Sequence, residues 1–93
     1  MPGVTGTIEA NGNTYKYMEV SYGTQRGIRV ALQGTAGTSY EFKFSPNPHD
    51  LRAYNKKQSK FYEQAAQGIV ANWPPTADMT LTALDSEFTL SVR

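Results

Sequence analysis

From Val4 to Phe44, apolar and polar residues alternate between glycine-bearing turns, the pattern of a run of short antiparallel strands. Four strands fit this stretch. Asn11-Gly12 separates the first, Val4 to Ala10, from the second, Thr14 to Tyr22, and this pair tolerates the positive φ angles of a tight hairpin. In the second strand Met18, Val20 and Tyr22 share one side of the pleat, and Tyr15 and Tyr17 take the other, so both faces are expected to be partly covered. Gly23-Thr24-Gln25-Arg26-Gly27 leads into a third strand, where Ile28, Val30 and Leu32 alternate with Arg29, Ala31 and Gln33. After a turn at Gly34 to Gly37, Tyr40, Phe42 and Phe44 alternate with Ser39, Glu41 and Lys43.

At Ser45-Pro46-Asn47-Pro48 the period changes. Asn47 is a good helix cap, Pro48 suits the first helical position, and Asp50 places negative charge in the first turn. Beyond it Leu51, Tyr54, Gln58, Phe61, Tyr62, Ala65, Ile69 and Trp73 fall on one side at helical spacing, until Pro74-Pro75 prevents continuation. The pattern predicts one helix of about seven turns. Gly68, inside it, costs about 1 kcal/mol relative to alanine, which points to close packing on the sheet or to a local bend. Then Met79, Leu81 and Ala83 alternate with threonines, Asp85-Ser86 offers a turn, and Phe88, Leu90 and Val92 alternate with Glu87, Thr89 and Ser91. The expectation is an α+β fold in one domain, residues 1–93: an antiparallel sheet of about four N-terminal strands, one long helix packed on it, and a C-terminal β-hairpin.

Composition narrows the chemistry. With no cysteine, the chain has no disulfide, no thiol catalysis and no cysteine-ligated metal. The only histidine, His49, falls at the expected helix start between Pro48 and Asp50, a poor seat for a general base. Glu9, Glu19, Glu41, Asp78, Asp85 and Glu87 are scattered, and no spacing singles out a catalytic pair. The glycines at 23 and 27, and at 34 and 37, lack the lysine-serine ending of a phosphate loop and the dinucleotide fingerprint. We therefore expect no enzyme, no catalytic residues, no metal and no cofactor. The start of the sequence carries neither a basic, apolar signal segment nor a membrane-spanning run, so the expected setting is cytoplasmic with no membrane partner.

Nine Lys or Arg against eight Asp or Glu leave a formal charge of +1, so any polarity has to be local. On a helical wheel Lys56 and Lys60 lie opposite the apolar side, with Arg52 and Lys57 flanking them, which makes a basic ridge. This ridge, with Tyr15, Tyr17 and Tyr22 and with Arg26 and Arg29, forms the expected partner-binding set. The corresponding function is a non-enzymatic binding module that occupies a macromolecular surface. A protein is the favoured partner, and a phage or mobile-element inhibitor of a host defence complex, such as an anti-CRISPR, is one setting for it. The alternative is a single-stranded nucleic-acid binder whose sheet tyrosines stack bases while the basic helix face tracks the backbone. The chain is expected to be a monomer, or a homodimer paired through an edge strand.

Overall fold

Asn11 and Gly12 both take positive φ, 54° and 77°, so the expected two-residue hairpin forms where the sequence places it. The structure, a computed structural model, describes residues 3–34, 38–48 and 56–92. That hairpin joins β1 (Thr5–Ala10) to β2 (Asn13–Tyr22), and a second one joins β2 to β3 (Gln25–Leu32). There Tyr22 pairs with Gln25 and leaves Gly23-Thr24 as the loop, with Gly23 at φ 69° supplying the positive angle that a type II′ turn needs first. The third strand thus starts three residues before the expected Ile28. Next come β4 (Ser39–Ser45), the helix α1 (Gln58–Ala71), β5 (Met79–Ala83) and β6 (Ser86–Val92). The last turn is centred on Leu84 and Asp85, at φ 51° and 62°, one residue before the expected Asp85-Ser86, because Ser86 already pairs with Ala83.

All six strands form one antiparallel sheet in the order β1-β2-β3-β4-β6-β5. The expected division into four strands and a separate C-terminal hairpin is therefore corrected. Strand β6 docks on β4 with Val92 opposite Phe42 and Leu90 opposite Phe44, which extends the apolar row of β4 and satisfies an edge that would otherwise be left open. The sheet curls around α1, whose neighbours include both terminal strands of the order, β1 and β5. Phe61, Tyr62, Ala65, Ala66, Ile69 and Val70 of the helix are buried against Tyr15, Tyr17, Ile28, Val30, Phe42, Phe44, Ala83, Phe88 and Leu90 of the strands.

Aromatic edges organise this core. Phe61 packs edge to face with Phe44, Tyr62 and Phe88 at centroid separations of 4.9, 5.2 and 5.0 Å. At the other end of α1, Trp73 meets Tyr15 and Tyr40 at 5.0 and 5.1 Å. Pairs of this kind contribute about 0.5–1.5 kcal/mol each beyond the area they bury. Gln64 fastens the helix to the last hairpin by accepting the Leu84 N–H at 2.9 Å.

The uninterrupted helix expected from Asn47 to Trp73 is also corrected. Lys57 precedes α1 with non-helical angles, φ −133° and ψ 41°, and gives it no side-chain cap. A straight helix over the whole expected range would run about 40 Å at 1.5 Å per residue. The molecule is only 35 Å in its longest dimension, so such a rod would project beyond the sheet. The expected first turns at 49–55 lie outside the described residues. Asn47 ties off the β2–β3 turn, donating to the Thr24 carbonyl at 2.7 Å and accepting the Arg26 N–H at 3.2 Å.

Two glycines mark close approaches of different kinds. A Cβ at Gly68 would lie 3.2 Å from Leu81 Cδ2, so the glycine reflects packing of α1 on β5. At Gly27 a Cβ would be driven into the Phe42 carbonyl oxygen of β4 and would also meet the Tyr22 ring at 2.6 Å. A side-chain terminus can move aside; a paired backbone cannot. Gly27→Ala is expected to lower unfolding stability by about 3 kcal/mol, at the upper end of overpacking costs. In Gly68→Ala the improved helix propensity offsets the crowding, and the change stays within about 1 kcal/mol. Urea titrations of the two variants against the parent check both values.

Candidate functional site

Strand alternation divides the expected contact residues between two faces. Tyr15 and Tyr17 point into the concavity and are only 3% and 8% exposed, so they are core residues rather than exposed contacts. Their rows pair them with Leu32 and Val30 of β3, and the apolar side of α1 covers them. Tyr17 also runs under β1, where Gly6 leaves room: a Cβ there would collide with the Tyr17 hydroxyl. Burial raises the Tyr17 phenol above its ordinary value of 10.0, and the Glu63 carboxylate on α1 adds to the shift.

Arg26 belongs to the helix side as well. Its guanidinium pairs with Glu19 at 3.5 Å and reaches Ser21 Oγ at 3.4 Å. Glu19 in turn accepts the Val4 N–H at 3.1 Å, and with Gly3, Val20 and the first helical residue, Gln58, these groups line a cavity of about 450 Å³. The carboxylate and the guanidinium there already serve each other and hold the start of β1 to the β2–β3 hairpin. Lys56, Lys57 and Lys60 are exposed as expected, and Lys60 pairs with Glu63 at 3.5 Å. Arg52 lies outside the described residues.

The remaining two expected residues, Tyr22 and Arg29, come together on the convex face, away from the helix. Here the cross-strand row Thr5, Met18, Arg29, Glu41 runs over β1 to β4. Glu41 takes both the Nε–H and an Nη2–H of Arg29 on one oxygen and the Tyr22 hydroxyl on the other. The Tyr22 ring can cross β3 to reach Glu41 because Gly27 has no side chain beneath it, and Lys43 Nζ lies 5.2 Å from the ring centroid. The third Arg29 nitrogen, Nη1, lies 3.9 Å from the Met18 sulfur. An aromatic ring, a guanidinium and a thioether are thus held in fixed relation on a rigid sheet.

Beside this network is a depression of about 360 Å³, lined chiefly by apolar atoms of Thr5, Thr7, Lys16, Met18, Arg29 and Ala31 together with Gly6 and Tyr17. Met18, at 39% exposure, is the exposed large hydrophobic residue among the described residues. Sequence reasoning passed over Met18, Lys16 and Glu41. The available signal was register: once β2 pairs with β3 through the Gly23-Thr24 turn, Met18 necessarily falls beside Arg29, and Lys16 beside Ala31.

Among the described residues no group of three His, Asp or Glu is arranged to hold a metal, and no helix is long and apolar enough to cross a membrane. Comparison with protein-family models, with curated proteins and with solved structures finds no match for this chain.

The raised Tyr17 value has a sign that can be checked. The folded state holds the phenolic proton at pH values where the unfolded chain releases it, so this contribution is complete below pH 10 and is lost as pH rises from there through the folded value. Unfolding free energy should fall more steeply between pH 9 and 11 in the parent than in Tyr17→Phe, by up to about 1.4 kcal/mol per pH unit. Parallel slopes in denaturant titrations across that range would contradict it.

Proposed function

We propose that this protein is a non-enzymatic binding module that acts by occupying a surface on another protein, and that its contact face is the convex side of β1, β2 and β3 around Met18. One observation carries the reading: the exposed Met18 opens onto an apolar depression of about 360 Å³ beside an arginine and a tyrosine already fixed by Glu41. An exposed hydrophobe within a polar rim is the usual composition of a contact patch. Arginine and tyrosine are residues that commonly carry binding energy there, and prior ordering lowers the entropic cost of using them. A phage or mobile-element inhibitor of a host defence complex, such as an anti-CRISPR, is one setting for such a module, since blocking requires only a surface.

The nucleic-acid alternative draws less support. Of the three tyrosines offered for base stacking, Tyr15 and Tyr17 are spent on the core, and Tyr22 stands on the face of the sheet away from α1, which bears Lys60 and follows directly on Lys56 and Lys57. Stacking residues and phosphate contacts would have to lie along one track.

Site-specific photo-crosslinking in cells tests the proposal. A photoreactive residue replacing Met18 is expected to give one discrete, nuclease-resistant protein adduct, while the same group at Thr82, exposed on β5 at the far side of the sheet, gives none. Equal adducts at both positions, or an adduct at Met18 that nuclease removes, would refute the assignment of this face to a protein partner.

A further inference from the structure

The depression around Met18 adjoins an open sheet edge. Strand β1 ends the strand order, and among the described residues no backbone group pairs with its outer side. Its outward residues Thr5 and Thr7 line the depression. An extended segment laid against β1 would gain backbone hydrogen bonds and would set every second side chain on the convex face beside those threonines.

Two cross-strand rows then determine what such a segment would present. Opposite Thr5 it enters the row of Met18 and Arg29, and opposite Thr7 it enters the row of Lys16 and Ala31. The first row offers the exposed thioether and the apolar hollow. The second offers the Lys16 ammonium, which has no ion pair among the described residues, whereas the Arg29 charge is already met by Glu41. Resting on the reading of this face as a protein contact, we infer that the partner supplies an extended acidic segment in which a bulky apolar residue and a carboxylate stand two positions apart. The apolar side chain covers Met18, and the carboxylate pairs with Lys16.

The other open edge does not fit this occupant. On the convex side β5 and its neighbour place Thr82 opposite Glu87, so a carboxylate arriving there meets a like charge. Strand β1 has a carboxylate of its own on this face, Glu9, two residues beyond Thr7, but it also has the Lys16 ammonium opposite Thr7 and the hollow beside Thr5, and the Thr82–Glu87 row has neither.

Panning a random peptide library on the immobilised full chain tests the inference, with Met18→Asp and Lys16→Glu in parallel. Both side chains lie on the exposed face, so circular dichroism and thermal unfolding should match the parent. The parent is expected to enrich peptides with an apolar residue and a carboxylate at a spacing of two, binding at least about tenfold more weakly to Met18→Asp. Lys16→Glu should exchange the enriched carboxylate for Lys or Arg. Peptides that depend on Met18 but show no acidic preference, or whose charge preference is unmoved by Lys16→Glu, would overturn the inference while leaving the contact face in place. Recovery of no Met18-dependent peptide, with retention of a single-stranded oligonucleotide on the same resin, would overturn the inference and the face together.

Discussion

Among the described residues one helix, α1, has to fill the concave face of six strands, and Phe61 is where that requirement is met. Its ring touches Phe44 and Phe88, which lie on the neighbouring strands β4 and β6, and Tyr62 beside it on the helix. This contact joins the C-terminal hairpin to the N-terminal strands through side chains, in addition to the β4–β6 backbone pairing. Without the helix the apolar rows Tyr15-Tyr17, Ile28-Val30 and Phe42-Phe44 would have no cover, and a sheet with an uncovered apolar face does not persist as a soluble domain. The curl follows from the same demand. Bringing both β1 and β5 to the flanks of α1 buries more of the helix than a flat sheet would, and it shields the inner sides of the two strand edges.

Because one face of the sheet does all the burying, the other is free of packing duties. Its polar residues form a network whose worth lies in position rather than in stability. The Arg29 and Glu41 side chains remain 45% and 29% exposed, and an ion pair in that setting contributes at most about 1 kcal/mol. What the pair does is restrict rotamers. Glu41 accepts from an arginine and from a tyrosine that arrive from different strands, so neither side chain can move without breaking a hydrogen bond. Gly27 makes this geometry available at the cost of a strand residue with no side chain of its own.

Most of the architecture was legible in the sequence because local signals agreed with the global outcome. Alternation placed all six strands within a few residues, Asn11-Gly12 specified its hairpin, and the apolar spacing of Phe61, Tyr62, Ala65 and Ile69 named the buried side of the helix. Two features were not legible for physical reasons. The pairing of β6 with β4 is non-local, and nothing in either strand's own pattern says which edge the hairpin will join. The break at Lys57 has no proline or glycine to announce it, and the apolar spacing runs on across it, so no local signal marks it.

The candidate site was less legible than the fold, and the reason is the difference between the two periods. On a helix, residues three or four apart share a face, so Phe61, Ala65 and Ile69 are buried together while Lys60 stays exposed; Lys56 and Lys57 are exposed as well, but they precede α1. On a strand, residues three apart lie on opposite faces, so Arg26 turns toward Glu19 beneath the helix end while Arg29 turns outward to Glu41. The same parity sends Tyr15 and Tyr17 inward and Tyr22 outward. Grouping by residue type therefore merged three surfaces: a core, a structural ion pair and an open face. Only register separates them. It also brings forward Met18 and Lys16, residues that composition gives no reason to select, because a methionine or lysine acquires a role on a sheet from what the neighbouring strands place beside it.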